Sequence, residues 1–187
     1  MEREREKKQW NKRILWIITV LGFVLTLYLV EGSSWGSMAV AAYNDGYGTF
    51  DMKTYHTETV EQILGSMDAG NFGAYYKYYI VDFVFLLFFG TFQCLVMDGL
   101  YGKLSFYQNK WCRVLILGVP ILRGACDILE NILLMYTISS YPQINAGIIE
   151  TASAATWCKL LCIRIWSALL LLGIVLTIVQ RIRLHKK

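Results

Sequence analysis

The sequence predicts an all-α membrane protein, a four-transmembrane-helix bundle with a long, partly helical outer loop between helices 1 and 2. Three observations predict it. Hydrophobic residues make up 56% of 187 positions, and they gather into runs long enough to cross a bilayer. Lys and Arg cluster beside those runs rather than over a broad surface. No tandem repeat or low-complexity tract points to another architecture, so one integral membrane domain over 1–187 is expected.

The first helix is expected over about 14–30, after a charged start that carries six Lys/Arg. A cleaved signal peptide is the rival reading, with Ala39-Val40-Ala41 as its processing site. That site lies too far past the apolar run, and the run is long for a signal. Residues 31–75 are polar and rich in Gly, Tyr and acid, and a loop that long is expected to be partly ordered. Thr57 is placed to cap a short outer helix over about 57–67, with Val60, Ile63, Leu64 and Met67 on one face. It would rest on the bundle mouth or the lipid headgroups. Asp51 and His56 precede it and read first as solvated loop residues, with an entrance role as the alternative.

The second helix is expected over about 76–98. Tyr75, Tyr76, Tyr78 and Tyr79 mark its outer boundary, where amphipathic rings favour the interface. Asp82 lies one turn inside, and Gln93 lies near the other end. A short basic loop holding Lys103, Lys110 and Arg113 leads to a third helix over about 111–138. Pro142 and Gly147 break the chain before a fourth over about 152–182. The start, the 99–113 loop and the tail (Arg181, Arg183, Lys186, Lys187) hold thirteen Lys/Arg, against Lys53 and Lys77 on the other side. The positive-inside rule then makes both termini cytoplasmic in a multi-pass protein of the cell membrane.

The third helix carries the chemistry. Arg123, Asp127, Glu130 and Asn131 fall on one stripe at helical spacing, and Leu134 extends it. Pro120 has no N–H and crowds the carbonyl of Ile116, so a kink is expected below them. Ionisable residues in a span are costly and mark function, or else they glue helices together. Counting depth at about 1.5 Å per residue gives two layers. The outer one holds Asp82, Glu130, Asn131, Thr156 and Lys159; the central one holds Arg123, Asp127 and Arg164. Three acids balance three bases, as buried charges require. Matching depths pair Lys159 with Glu130 or Asp82, and Asp127 with Arg123 or Arg164.

Cys94, Cys112, Cys126, Cys158 and Cys162 all lie in or beside apolar runs, which reads as packing rather than a disulfide framework. No His/Cys/carboxylate spacing resembles a metal site, and no phosphate loop is visible, so neither metal nor cofactor is expected. The charge distribution does not resemble a nucleic-acid-binding surface.

Asp82 to Gly90, DFVFLLFFG, is similar to a D-x-x-F-x-x-x-[YF]-G pattern, and Pro120 to Asn131 is similar to P-x6-D-x-x-E-N. With the acidic-aromatic lead-in from Thr49 to Leu64 and a T-x-x-K from Thr156 to Lys159, these resemble an uncharacterised family of small four-helix bacterial membrane proteins. The resemblance covers about residues 49–165. It implies that Asp82, Asp127, Glu130, Asn131, Thr156 and Lys159 form one polar set, and it carries no activity. Arg123 departs from the small or apolar residue expected there.

Three functions fit. The polar set binds a small amphiphilic molecule or an ion, or passes protons; transport by so short a chain would call for oligomers. Alternatively the protein is an intramembrane enzyme acting on a lipid or isoprenoid. Asp127 or Glu130 would then be the catalytic acid/base, with Lys159 and Asn131 stabilising charge. As a third reading, it is a structural subunit of a membrane complex. Binding ranks first.

Overall fold

A computed structural model describes residues 2–185, so Met1 and the last two residues of the basic tail, Lys186 and Lys187, lie outside the described residues. Among the described residues the chain is helical and has no strand. The α-helices are α1 (Glu2–Gly32), α2 (Ser37–Ala41), α3 (Thr57–Gly65), α4 (Gly73–Tyr101), α5 (Lys110–Ser140) and α6 (Ala146–His185). Two single 3-10 turns, Ala69–Asn71 and Ser105–Gln108, lead into α4 and α5.

Three stretches are long and apolar enough to cross a membrane: Gln9–Ala41, Gly73–Tyr101 and Ala146–Arg183. The 31-residue α5 matches them in length, but Arg123, Asp127 and Glu130 interrupt its apolar character. The usual pattern of a water-soluble protein is inverted. Leu21 and Leu25 of α1 and Leu171 and Val175 of α6 are exposed, whereas Asp82, Asp127, Glu130 and Lys159 are buried. That inversion is consistent with a membrane protein.

The helices outrun their apolar cores. The charged start forms the first turns of α1, and α6 begins at Ala146, not near 152. Pro120 sits inside α5 without ending it. Asn109 caps α5 by accepting a hydrogen bond from the Trp111 N–H. The expected Thr57 cap is corrected: His56 occupies the cap position of α3, with no side-chain cap bond, and α3 ends at Gly65.

The packing order is α1 on α4, α4 on α5, and α5 on α6, with α4 also touching α6. Phe23 of α1 stacks on Phe89 and Phe92 of α4, with ring centroids 5.3 and 5.0 Å apart. Gly22 makes this approach possible, since a Cβ there would lie 2.3 Å from the Phe88 ring.

The loop between α1 and α4 is a folded cap. Its hinge is a turn in which Asp45, Gly46 and Gly48 take positive φ. Asn44 clamps this turn. Its Nδ2 donates to the Gly48 carbonyl (2.7 Å) and the Tyr75 hydroxyl (2.9 Å), and its Oδ1 accepts from the Gly48 N–H (2.9 Å). Phe50 is then driven into an aromatic core against Tyr55 and Tyr75, with centroids 5.1 and 5.8 Å away. Val60 and Leu64 of α3 join that core, and α3 packs on α6.

Candidate functional site

Burying Phe50 turns its neighbour Asp51 inward, and this brings together a site that spacing alone does not give. The α5 stripe faces α4 and α6, so Arg123, Asp127, Glu130 and Asn131 are all buried, as the periodicity requires. Thr156 and Lys159, three apart on α6, share the facing stripe.

Lys159 is the hub, and it is 1% exposed. Its Nζ lies 2.6 Å from Glu130 Oε2 and donates to Asp127 Oδ1 at 3.0 Å. It also donates to Asp51 Oδ1. One ammonium is therefore enclosed by three carboxylates, from α5 and from the cap. Oxygens of Asp51, Asp127 and Glu130 lie within 4.8 Å of one another, a juxtaposition with no counterpart in sequence spacing.

The remaining lone pairs are taken by neighbours. Glu130 Oε1 accepts from the Thr156 hydroxyl (2.6 Å) and, at a long 3.4 Å, from Tyr55. Arg123 Nη2 donates to Asp127 Oδ2 at 2.6 Å, and its guanidinium lies 4.4 Å from the Phe89 ring centroid. Asn131 Nδ2 donates to Asp82 Oδ2 at 2.6 Å, and Tyr78 donates to Asp51 Oδ2 at 2.8 Å. Several buried groups have no hydrogen-bond partner among the described residues: Arg123 Nε and Nη1, Asn131 Oδ1, the Tyr79 hydroxyl and both amide atoms of Gln93.

Two groups of the cap show what the centre does to its boundary. Burial pushes the Asp51 carboxyl up. The Lys159 charge and hydrogen bond, the Tyr78 hydroxyl and the Arg123 charge outweigh this and hold it below its usual value. Burial and the Glu130 carboxylate hold the Tyr55 phenol above its usual value, so it remains a donor.

No family model, curated protein or solved structure matches the chain. The site therefore rests on its geometry.

Three expectations are corrected by that geometry. Arg164 is exposed rather than central, and it lines an outward pocket with Met52, Lys53, Thr54 and Trp157. Of the two partners expected for Lys159, Glu130 meets it, whereas Asp82 pairs with Asn131 instead. Asp51 is not a solvated loop residue; its side chain is 19% exposed. His56 does stay outside, 3.6 Å from an exposed Glu150. With Arg164 gone and Asp51 added, the expected balance of three acids and three bases fails. Among the described residues, Asp51, Asp127 and Glu130 meet only two bases, Lys159 and Arg123, and Asp82 beside them is bonded to the neutral Asn131.

Asp51 links this centre to the surface. On its outer side is a pocket of about 310 Å³ whose lining includes Glu31, Tyr47, Asp51, Met52 and Tyr78. Lys53 reaches this pocket too, but its ammonium is held 3.9 Å from the Tyr47 ring and bonded to the Tyr47 carbonyl.

Proposed function

We propose that this chain is a multi-pass protein of the cell membrane, crossing four times with both termini cytoplasmic. It binds a small amphiphilic cation from the outer side, over Asp51. The observation that carries the reading is the charge count. Four acids stand beside two bases in a place where net charge is poorly tolerated, so the centre takes up positive charge, as protons on its carboxyls or as a bound cation. The outer pocket supports the amphiphile. Asp51 and Glu31 offer charge, while Tyr47, Tyr78, Met38 and Met52 offer apolar and aromatic contact. The already enclosed Lys159 ammonium supports the view that these carboxylates accept an amine head.

Calorimetry on protein in lipid nanodiscs tests this with octylammonium against octanol. Octylammonium should bind with measurable heat, and Asp51→Asn should weaken it about ten-fold, the equivalent of one lost charge contact. Equal binding of amine and alcohol, or an unchanged affinity in Asp51→Asn, overturns the proposal.

One observation favours a second reading, a purely structural network. Glu130, Thr156 and Lys159 are packed shut by their neighbours, with exposures of 0%, 0% and 1%. On that reading Asp51→Asn lowers stability and has no ligand to lose.

A further inference from the structure

A second charged concavity lies at the opposite end of the helices and takes no part in the centre described above. Asp98, near the end of α4, receives Lys12 from α1 at 3.2 Å and Arg113 from α5 at 3.3 Å. The carboxylate thereby ties three helices together and gathers two cations around one cleft. The Arg113 guanidinium also lies 5.8 Å from the Tyr107 ring. Lys103 and Lys110 complete the lining, together with Gly99, Gly102 and Gln108. Neither lysine has a carboxylate within ion-pair distance among the described residues. The cleft encloses about 420 Å³ and presents four cations against one carboxylate.

Its surroundings place it at a membrane surface, which rests on the spanning reading above. Trp111 beside it is 66% exposed, with the Lys110 ammonium 5.4 Å from its ring, and Trp10 is 64% exposed two residues from Lys12. Exposed tryptophans next to lysines are the composition of the headgroup layer. The amino end of α5 opens on the same side and adds its dipole to the positive field. A single phosphate would fill a small part of the volume, whereas a headgroup with its glycerol backbone needs a cleft of this size.

We propose that this inner cleft binds the phosphate-bearing headgroup of an anionic phospholipid, with Lys103 and Lys110 supplying the unpaired charge. Asp98 acts as a positioning residue that holds Lys12 and Arg113 at the rim. The site is independent of the outer pocket, so loss of amine binding there leaves it standing.

The test is native mass spectrometry of the full chain equilibrated with equal amounts of phosphatidylglycerol and phosphatidylcholine. The wild type should retain phosphatidylglycerol preferentially. Lys103→Gln/Lys110→Gln should lower that retention about ten-fold or more, as expected for two charges at a membrane surface. Arg181→Gln/Arg183→Gln removes the same charge from the tail and should leave retention unchanged. Lys103→Arg/Lys110→Arg should keep it as well, which guards against misfolding as the cause of a loss. Equal retention of both lipids by the wild type, or equal losses in the lysine and tail variants, overturns the site. A last arm adds inorganic phosphate. Displacement of the lipid at equal concentration would make soluble phosphate the ligand and overturn the lipid as its source; persistence of the lipid supports it.

Discussion

Replacing Lys159 by Met removes the one ammonium that three carboxylates surround. Its nitrogen lies 2.6 Å from Glu130 Oε2 and 3.0 Å from Asp127 Oδ1, with Asp51 also bonded. At a charge separation of about 4 Å and an effective dielectric of about 20, each such attraction is worth about 4 kcal/mol. Desolvation of the ammonium offsets several kcal/mol of the total, so the net loss on breaking the cluster is about 3–5 kcal/mol. Glu130→Gln alone should cost about 2–3 kcal/mol, because a charge-assisted contact is lost. The two changes should not add. Once Lys159 is gone, Glu130 is one of three carboxylates with no ammonium, and removing its charge should be neutral or stabilising. A double-mutant cycle measured by reversible SDS unfolding in mixed micelles should therefore return a coupling of about 2–3 kcal/mol. If the two costs add to within about 0.5 kcal/mol, the reasoning that makes Lys159 the hub fails.

Other consequences follow from the same contacts. Because the Asp51 carboxyl is held below its usual value, its contribution to stability is full above the unfolded pKa of about 4 and is lost as pH falls through the lower folded value. Asp51→Asn should therefore be less stable at neutral pH and lose less on acidification below about pH 4; thermal scans of both proteins from pH 7 to pH 2 check this. Arg164→Gln should change stability by less than about 0.5 kcal/mol, while Arg123→Met should cost about 3 kcal/mol or more by leaving Asp127 with one base fewer. Comparable losses for the two arginines in the same unfolding assay would contradict the assignment of Arg164 to the surface. Gly22→Leu should drive a side chain into the Phe88 ring and destabilise by about 1–3 kcal/mol, read as a lower Tm.

Much of this was legible in the sequence because it depends on periodicity. Asp127, Glu130 and Asn131 lie on one side of a helix whatever surrounds it, and Thr156 and Lys159 share a face by the same rule. The apolar runs set where the long helices lie, and Val60 and Leu64 placed the inner face of α3. Asp51 was hidden because its inward turn depends on contacts far from it in sequence: the Asn44 clamp on Tyr75 and the burial of Phe50. The aromatic residues Tyr47, Phe50 and Tyr55 around it are the available signal, since a solvated loop seldom needs three rings. Arg164 was misplaced for a different reason. Depth along α6 puts it near the middle, but five residues at about 100° each set it about 140° around the helix from Lys159. The angle, not the depth, decides which charges meet. The expected charge balance fails with it, since Arg164 lies on the surface and Asp51 turns inward.

The account rests most on the claim that the carboxylates around Lys159 form a seat for a positively charged amine. Lys159→Ala empties that seat of its own ammonium, and an added small amine should refill it. The measurement is the Tm of Lys159→Ala and of wild type with and without propylammonium, using propanol as the uncharged control. The account predicts that propylammonium raises the Tm of Lys159→Ala more than that of wild type, and that propanol does neither. An equal response to amine and alcohol, or no response in the variant, would contradict it.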